Sequence, residues 1–196
     1  MTKKNNLIIL AISLIIFSSK WSLSFIFFPD DFLFTKILID TPDSQYYPII
    51  KSLSDFDFSP GYNFFDETKN FFVFPYGPII WHSIFYKIFG TISFLIVEFV
   101  FIFLFLLIFF KIFEYLGFSF SSSLIFSLVI MVLPTVTELL INDPIPYINN
   151  INTTLSYIYS TRFPRPQITE LYFLVFIYLT MKFYNNFLGN LNTKYA

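Results

Sequence analysis

A 23-residue apolar segment, residues 91–113, constrains the fold more than any other part of the sequence. Its only acidic residue is Glu98. About 20 consecutive apolar residues are enough for a helix to cross the hydrocarbon core of a bilayer. The composition agrees, because 56% of the residues are hydrophobic and 13% are charged, whereas soluble domains carry about 25% charged residues. We therefore predict an all-α integral membrane protein.

Three further apolar segments complete a predicted set of about four transmembrane helices. The predicted spans are residues 7–28, 91–113, 121–140 and 168–184. Lys3 and Lys4 precede the first span, and positive charge favours the cytoplasmic side of a membrane. This predicts a multi-pass protein of the cell membrane with both termini in the cytoplasm. The alternative for the N-terminus is a cleaved signal peptide with its apolar region at residues 7–17.

The connections between these spans define the rest of a single predicted membrane domain, residues 1–196. Residues 29–78 and 141–167 are predicted to be outer loops, and residues 117–123 a tight cytoplasmic turn. At the end of the first span, Trp21 suits the aromatic belt of the outer membrane interface. In the first outer loop, Pro42 and Pro48 are expected to interrupt regular structure.

Residues 79–89 are predicted to form an amphipathic helix that lies along the outer membrane interface. Apolar residues recur with helical spacing at positions 80, 81, 84, 85, 88 and 89. The polar residues His82, Ser83 and Lys87 lie between them. We expect the apolar positions to face lipid or the helix bundle, with His82 and Lys87 facing water or headgroups. Gly90 is expected to end the helix.

Two acidic residues of the first outer loop, Asp40 and Asp43, are the candidate catalytic residues. Two carboxylates three positions apart, just outside a membrane, can supply a general base and a partner for a metal or a hydrogen bond. The alternative is that both are solvated loop residues. Asp30 and Asp31, which directly follow the first span, are the competing pair.

Arg162 and Arg165 are the candidate phosphate-binding residues and the only arginines in the chain. The predicted topology places them on the outer side, against the usual cytoplasmic bias of positive charge. Guanidinium groups bind phosphate in a bidentate manner, which an ammonium group cannot do. The alternative role is anchoring to lipid headgroups.

The remaining polar residues are weaker candidates for a functional site. Glu98 and Glu138 lie within or near predicted spans, where an acidic residue is a candidate for function. The single histidine, His82, argues against a histidine-based metal site. The absence of cysteine excludes thiolate chemistry, and a net charge of −1 gives no argument for nucleic-acid binding.

Three segments of the chain resemble the GT-C superfamily of multi-pass glycosyltransferases. Residues 43–53 (DSQYYPIIKSL) resemble the Asp-x-x-x-Tyr stretch of these enzymes. Residues 76–90 (YGPIIWHSIFYKIFG) resemble their interfacial helix, and residues 116–119 (LGFS) resemble the cytoplasmic turn before their third span. Many members carry a second acidic residue at the catalytic position, where this chain has Ser44 after Asp43.

The resemblance implies an inverting sugar transfer from a polyprenyl-phosphate donor on the extracytoplasmic side. Asp43 would be the general base, and the requirement for a divalent metal stays open. Arg162 and Arg165 are assigned to the donor phosphate from charge and topology rather than from a family motif. The resemblance covers only the N-terminal part of these enzymes, which implies a truncated product, a fragment of a larger fold, or a subunit that needs a partner membrane subunit. The competing class is a non-enzymatic multi-pass membrane subunit or a transporter fragment.

Overall fold

The computed structural model describes residues 3–27, 29, 46–58, 76–140 and 167–194. These residues form helices, turns and bends and include no strand, as an all-α fold requires. A single 3₁₀ turn, Gly90–Ile92, separates two of the helices. The α-helices are α1 (Lys3–Phe27), α2 (Tyr46–Ser54), α3 (Tyr76–Phe89), α4 (Ser93–Tyr115), α5 (Phe120–Leu140) and α6 (Gln167–Lys194).

Four of these helices coincide in position with the four predicted spans, but they differ in their capacity to cross a membrane. One continuous helical stretch of the described chain, Ile79–Tyr115, is long and apolar enough to do so by length and composition. Asn5–Ser19 and Phe120–Val132 are shorter apolar helices. The helical positions are therefore confirmed, and the presence of four spans stays a prediction.

The chain forms two compact units. The first comprises residues 1–103 and 161–169, and the second comprises residues 104–160 and 170–196. The boundary falls within α4, which contributes residues to both units.

One hydrophobic core cluster of the first unit is built around α2. Tyr46, Ile49, Ile50 and Leu53 of this helix are buried, and their spacing places them on one helical face. This face packs on Ile79 of α3 and on Phe94 of α4, with Tyr86 of α3 at the edge of the cluster. A short helix of this length depends on such packing, because helices below about 12 residues are marginal in isolation.

Pro48 lies within α2 rather than interrupting regular structure, so the prediction for this residue was wrong, and Pro42 lies outside the described residues. Pro48 is the third residue of the helix. The first four N–H groups of a helix have no intrahelical acceptor. A proline in the first turn therefore removes no helical hydrogen bond, and its fixed φ suits the helix.

In the second unit, a tight turn joins α4 to α5, as predicted for this part of the chain. Gly117 has φ of 91°, in the left-handed region that suits glycine. Its N–H donates to the carbonyl of Glu114 (3.1 Å), and the N–H of Phe118 donates to the carbonyl of Phe113 (3.1 Å). This is a Schellman motif. Ser119 Oγ then accepts from the N–H of Ser122 (3.3 Å) and caps α5.

Aromatic rings hold this helical hairpin together. Phe113 of α4 packs against Phe118 of the turn and against Phe126 of α5, with ring centroids 5.9 and 5.4 Å apart. Phe118 and Phe126 are 5.2 Å apart. Farther along the second unit, the hydroxyl of Tyr115 donates to the carbonyl of Met181 on α6 (2.9 Å). These contacts fix α5 and α6 relative to the end of α4.

Candidate functional site

Helix α3 buries two of its polar side chains and exposes most of its large apolar side chains. Ile79, His82 and Ser83 are buried, with His82 only 1% exposed. The exposed large residues on the same helix are Ile80, Trp81, Ile84, Ile88 and Phe89. The expectation that His82 faces water was therefore wrong, whereas Lys87 is exposed as expected. This arrangement suits a helix whose exposed side meets lipid, because an apolar face needs no burial in protein there.

Other helices of the described chain also place small polar side chains inside. Ser13 of α1, Ser83 of α3 and Ser127 of α5 are buried. Each hydroxyl donates to the backbone carbonyl four residues earlier, over 2.7–3.1 Å. These bonds satisfy the hydroxyls without water, as polar groups in a low-dielectric interior require. Small residues with this bonding are common where membrane helices approach one another closely.

A buried carboxylate joins α1 to α4 in the first unit. Glu98, 5% exposed, accepts a hydrogen bond from the indole N–H of Trp21 with an Oε2–Nε1 distance of 2.9 Å. Trp21 is itself buried, so its indole serves this contact rather than a position in an aromatic belt. The acidic residue that interrupts the apolar segment thus has a structural role in positioning α1.

His82 reaches the same helix from α3. Its ring stacks on Phe101 with centroids 6.3 Å apart. Phe101 lies three positions after Glu98, so the two lie close together on one face of α4. Trp21 and His82 therefore connect α1 and α3 to one stripe of α4. Both contacts lie inside the unit, and we assign them to positioning of the helices.

An apolar groove between the end of α2 and the outer side of α3 is open to the surroundings. Its volume is about 380 Å³, within the range of about 300–1,000 Å³ that ligand pockets occupy. The lining is dominated by apolar side chains: Leu53, Phe56, Phe58, Ile80, Ile84 and Ile88. We call this feature the α2–α3 groove. Its lining includes much of the exposed apolar face of α3.

The backbone at the end of α2 directs an aromatic side chain toward this groove. Phe56 has φ of 61°, the left-handed conformation that bulky residues rarely adopt. Its N–H donates to the carbonyl of Leu53 (3.1 Å), and the N–H of Asp57 donates to the carbonyl of Ser52 (2.9 Å). Phe56 thus holds the position that glycine usually occupies in a Schellman motif. Its side chain is 76% exposed, so burial of the ring in protein does not offset the strain.

Two opposite charges lie beside the groove. Lys87 Nζ and Asp55 Oδ1 are 3.0 Å apart and link α3 to the end of α2. Lys87 itself contributes to the groove lining. The two side chains are 54% and 59% exposed, so both charges are accessible to a ligand. An ion pair this exposed contributes at most about 1 kcal/mol to stability.

The residues predicted to carry catalysis lie outside the described residues. These are Asp40, Asp43, Arg162 and Arg165, together with the competing pair Asp30 and Asp31. Glu138 lies within α5, but its side chain is also outside the described part. Within the described ranges, no group of three or more histidine, cysteine or acidic side chains comes together to bind a metal ion.

The groove and its charge pair were missed by the sequence interpretation. Asp55 and Lys87 are 32 positions apart, and no spacing rule connects them. The one signal available was the strong apolar periodicity of residues 79–89.

Comparisons with known proteins identify no relative: no family model, curated protein or solved structure matches this chain.

Proposed function

We propose that this chain is a multi-pass membrane protein, with α1, α4, α5 and α6 crossing the bilayer and both termini in the cytoplasm. The observation that supports this most directly is the reversed polarity of α3, which buries His82 and Ser83 and exposes Ile80, Ile84 and Ile88. In water, each Å² of apolar surface left exposed on α3 would forgo about 25 cal/mol of hydrophobic stabilisation. In lipid the same exposure carries no such cost.

The activity we propose is transfer of a sugar from a polyprenyl-phosphate donor to an acceptor on the extracytoplasmic side. Asp43 accepts the proton of the acceptor hydroxyl as its oxygen bonds to the anomeric carbon. The bond from that carbon to the phosphate oxygen breaks, and polyprenyl phosphate leaves. Arg162 and Arg165 stabilise the charge on the leaving phosphate. Asp40 is the second carboxylate of the site.

Chain connectivity supports this assignment. Asp43 precedes the first residue of α2 by three positions, and Arg165 precedes the first residue of α6 by two. The beginning of α6 belongs to the same compact unit as α2. The two segments are therefore attached to helices of one unit.

Sugar transfer in isolated membranes tests the proposal. Membranes that contain the full chain are supplied with a radiolabelled polyprenyl-phosphate sugar, and label is counted in the water-soluble and protein fractions. A general base typically contributes about 10²–10⁴-fold to the rate. We therefore expect Asp43→Asn to slow transfer by at least about 100-fold. The control is Asp57→Asn, an exposed acidic residue of the same segment, and we expect it to keep the original rate.

The same assay separates the competing function. If correctly inserted protein adds no transfer above membranes that lack it, the chain is a non-enzymatic membrane subunit. Equal rates for Asp43→Asn, Asp40→Asn and the unmodified chain, in membranes where transfer depends on the protein, would contradict the assigned site.

A further inference from the structure

We propose that the α2–α3 groove binds one hydrocarbon chain of a membrane phospholipid with an ethanolamine headgroup, which the Lys87–Asp55 pair recognises. This inference rests on the membrane placement in the proposed function and is independent of sugar transfer. The headgroup phosphate would accept from the Lys87 ammonium, and the ethanolamine ammonium would donate to the Asp55 carboxylate.

The lining of the groove selects the hydrocarbon part of the ligand. Phe56, Ile80, Ile84 and Ile88 are all exposed, and together with Leu53 and Phe58 they form an apolar channel. Such a surface excludes a polar ligand, because burying polar groups without partners is costly. An acyl chain supplies the apolar surface that these residues can cover.

The charge pair beside the groove selects the headgroup. Lys87 and Asp55 carry one positive and one negative charge, 3.0 Å apart and both accessible. A zwitterionic headgroup can exchange partners with this pair, so each protein charge stays matched. An anionic headgroup would meet the Asp55 carboxylate as a like charge. A choline headgroup has no N–H and could not donate a hydrogen bond to that carboxylate.

The strained backbone at Phe56 is consistent with a ligand at this position. Its left-handed conformation, with φ of 61°, places an exposed ring on the groove. Strain of this kind is typical of ligand-binding segments. A bound acyl chain would cover the ring that protein contacts leave open.

Lipid retention by native mass spectrometry tests the proposal on the full chain reconstituted in nanodiscs. The discs contain phosphatidylcholine with equal amounts of phosphatidylethanolamine and phosphatidylglycerol. We expect the unmodified protein to retain the ethanolamine lipid over the glycerol lipid by about fivefold, the size of an exposed charge interaction. Equal retention of the two lipids would overturn the proposal.

Charge variants identify which residue reads which part of the headgroup. Asp55→Asn leaves Lys87 as a single positive charge and should shift the preference to phosphatidylglycerol. Lys87→Gln removes the contact to the phosphate that both lipids share and should lower retention of both by about fivefold. The exchange variant, Asp55→Lys with Lys87→Asp, keeps a charge pair and should restore the ethanolamine preference. An unchanged preference in Asp55→Asn contradicts headgroup recognition by this pair.

Two further variants separate specific binding from general effects. Ile84→Trp places a large ring in the groove and should reduce retention of both lipids about equally. Lys51→Gln removes an exposed charge of α2 that is not part of the groove and should change nothing. Loss of retention in Lys51→Gln would show that binding depends on net charge and would overturn the proposal. A chain that fails to insert into the discs contradicts the membrane placement, whereas an inserted chain without lipid preference contradicts only this inference.

Discussion

The indole N–H of Trp21 donates a hydrogen bond to the carboxylate of Glu98, at 2.9 Å and across 77 positions of sequence. Both side chains are buried. The bond joins an N-terminal helix to the most apolar helix of the chain. It accounts for the only acidic residue in a segment that is otherwise suited to lipid. A typical hydrogen bond contributes about 0.5–1.5 kcal/mol net, and a buried polar group that loses its partner costs about 1–3 kcal/mol.

We expect a measurable coupling between Trp21 and Glu98. A double-mutant cycle with Trp21→Phe and Glu98→Met isolates the pair, because phenylalanine removes the N–H donor and methionine removes the carboxylate acceptor while keeping a side chain of similar length. Each single variant should lower the free energy of unfolding by about 1–3 kcal/mol. The loss in the double variant should be smaller than the sum of the two single losses. These free energies are measured by unfolding in mixed micelles, which is followed by circular dichroism rather than by tryptophan fluorescence. Strict additivity would show that the two side chains do not stabilise one another.

Phe56→Gly should stabilise the end of α2 and weaken the groove. Glycine adopts φ of 61° without the steric cost that a Cβ imposes, which is about 1 kcal/mol. The midpoint of thermal unfolding should therefore rise while retention of lipid falls. The matched control is Phe56→Ala, which removes the ring but keeps the Cβ. We expect Phe56→Ala to retain less lipid without a rise in the midpoint of thermal unfolding. Equal stability of Phe56→Gly and Phe56→Ala would mean that the backbone at this position is not strained.

The reversed polarity of α3 predicts an accessibility pattern. The chain has no cysteine, so single cysteines can be placed at positions 79, 80, 83, 84 and 88 without background labelling. Each cysteine carries a nitroxide spin label that is attached in detergent before reconstitution, because a thiol that faces lipid does not ionise and reacts slowly. Labels at positions 80, 84 and 88 should collide often with molecular oxygen, which dissolves preferentially in lipid, and labels at positions 79 and 83 should collide less, because both parent side chains are buried. Equal collision rates at all five positions would show that α3 does not pack on the first unit through this face.

The proposed topology predicts opposite compartments for two points of the chain. Reporter fusions after Asn70 and after Leu116 should give extracytoplasmic and cytoplasmic signals respectively, since one span lies between them. An alkaline phosphatase reporter and a fluorescent protein reporter serve as mutual controls at each site. The same signal at both points would exclude a spanning role for α4.

Much of the helical framework follows from local properties of the sequence. The segment of residues 91–113 is a long, almost wholly apolar run, which predicts a helix without reference to its neighbours. The structure has α4 at Ser93–Tyr115. The turn after it also follows from local chemistry. Gly117 supplies a left-handed conformation, and Ser119 supplies a cap for the next helix. Both effects act within a few residues, where sequence spacing is a sufficient guide.

Local spacing could not decide which face of a helix is buried. The periodicity of residues 79–89 defines an apolar and a polar side. Which of the two sides is buried depends on whether water or lipid surrounds the helix. The expectation for His82 assumed water or headgroups on the polar side. Packing of the His82 ring on Phe101 of α4 instead encloses this side chain, while Ile80 and Ile84 stay exposed.

The contacts between distant parts of the chain were decided only by the tertiary structure. No local rule brings Trp21 to Glu98 or Asp55 to Lys87, because each pair depends on how separate helices pack. The left-handed backbone of Phe56 could not be predicted from the sequence either, because phenylalanine rarely adopts this conformation. The sequence alone thus determined where five of the six α-helices lie and that α4 lies in a stretch apolar enough to cross a membrane. Packing determined which of their side chains meet one another and which remain available to a ligand.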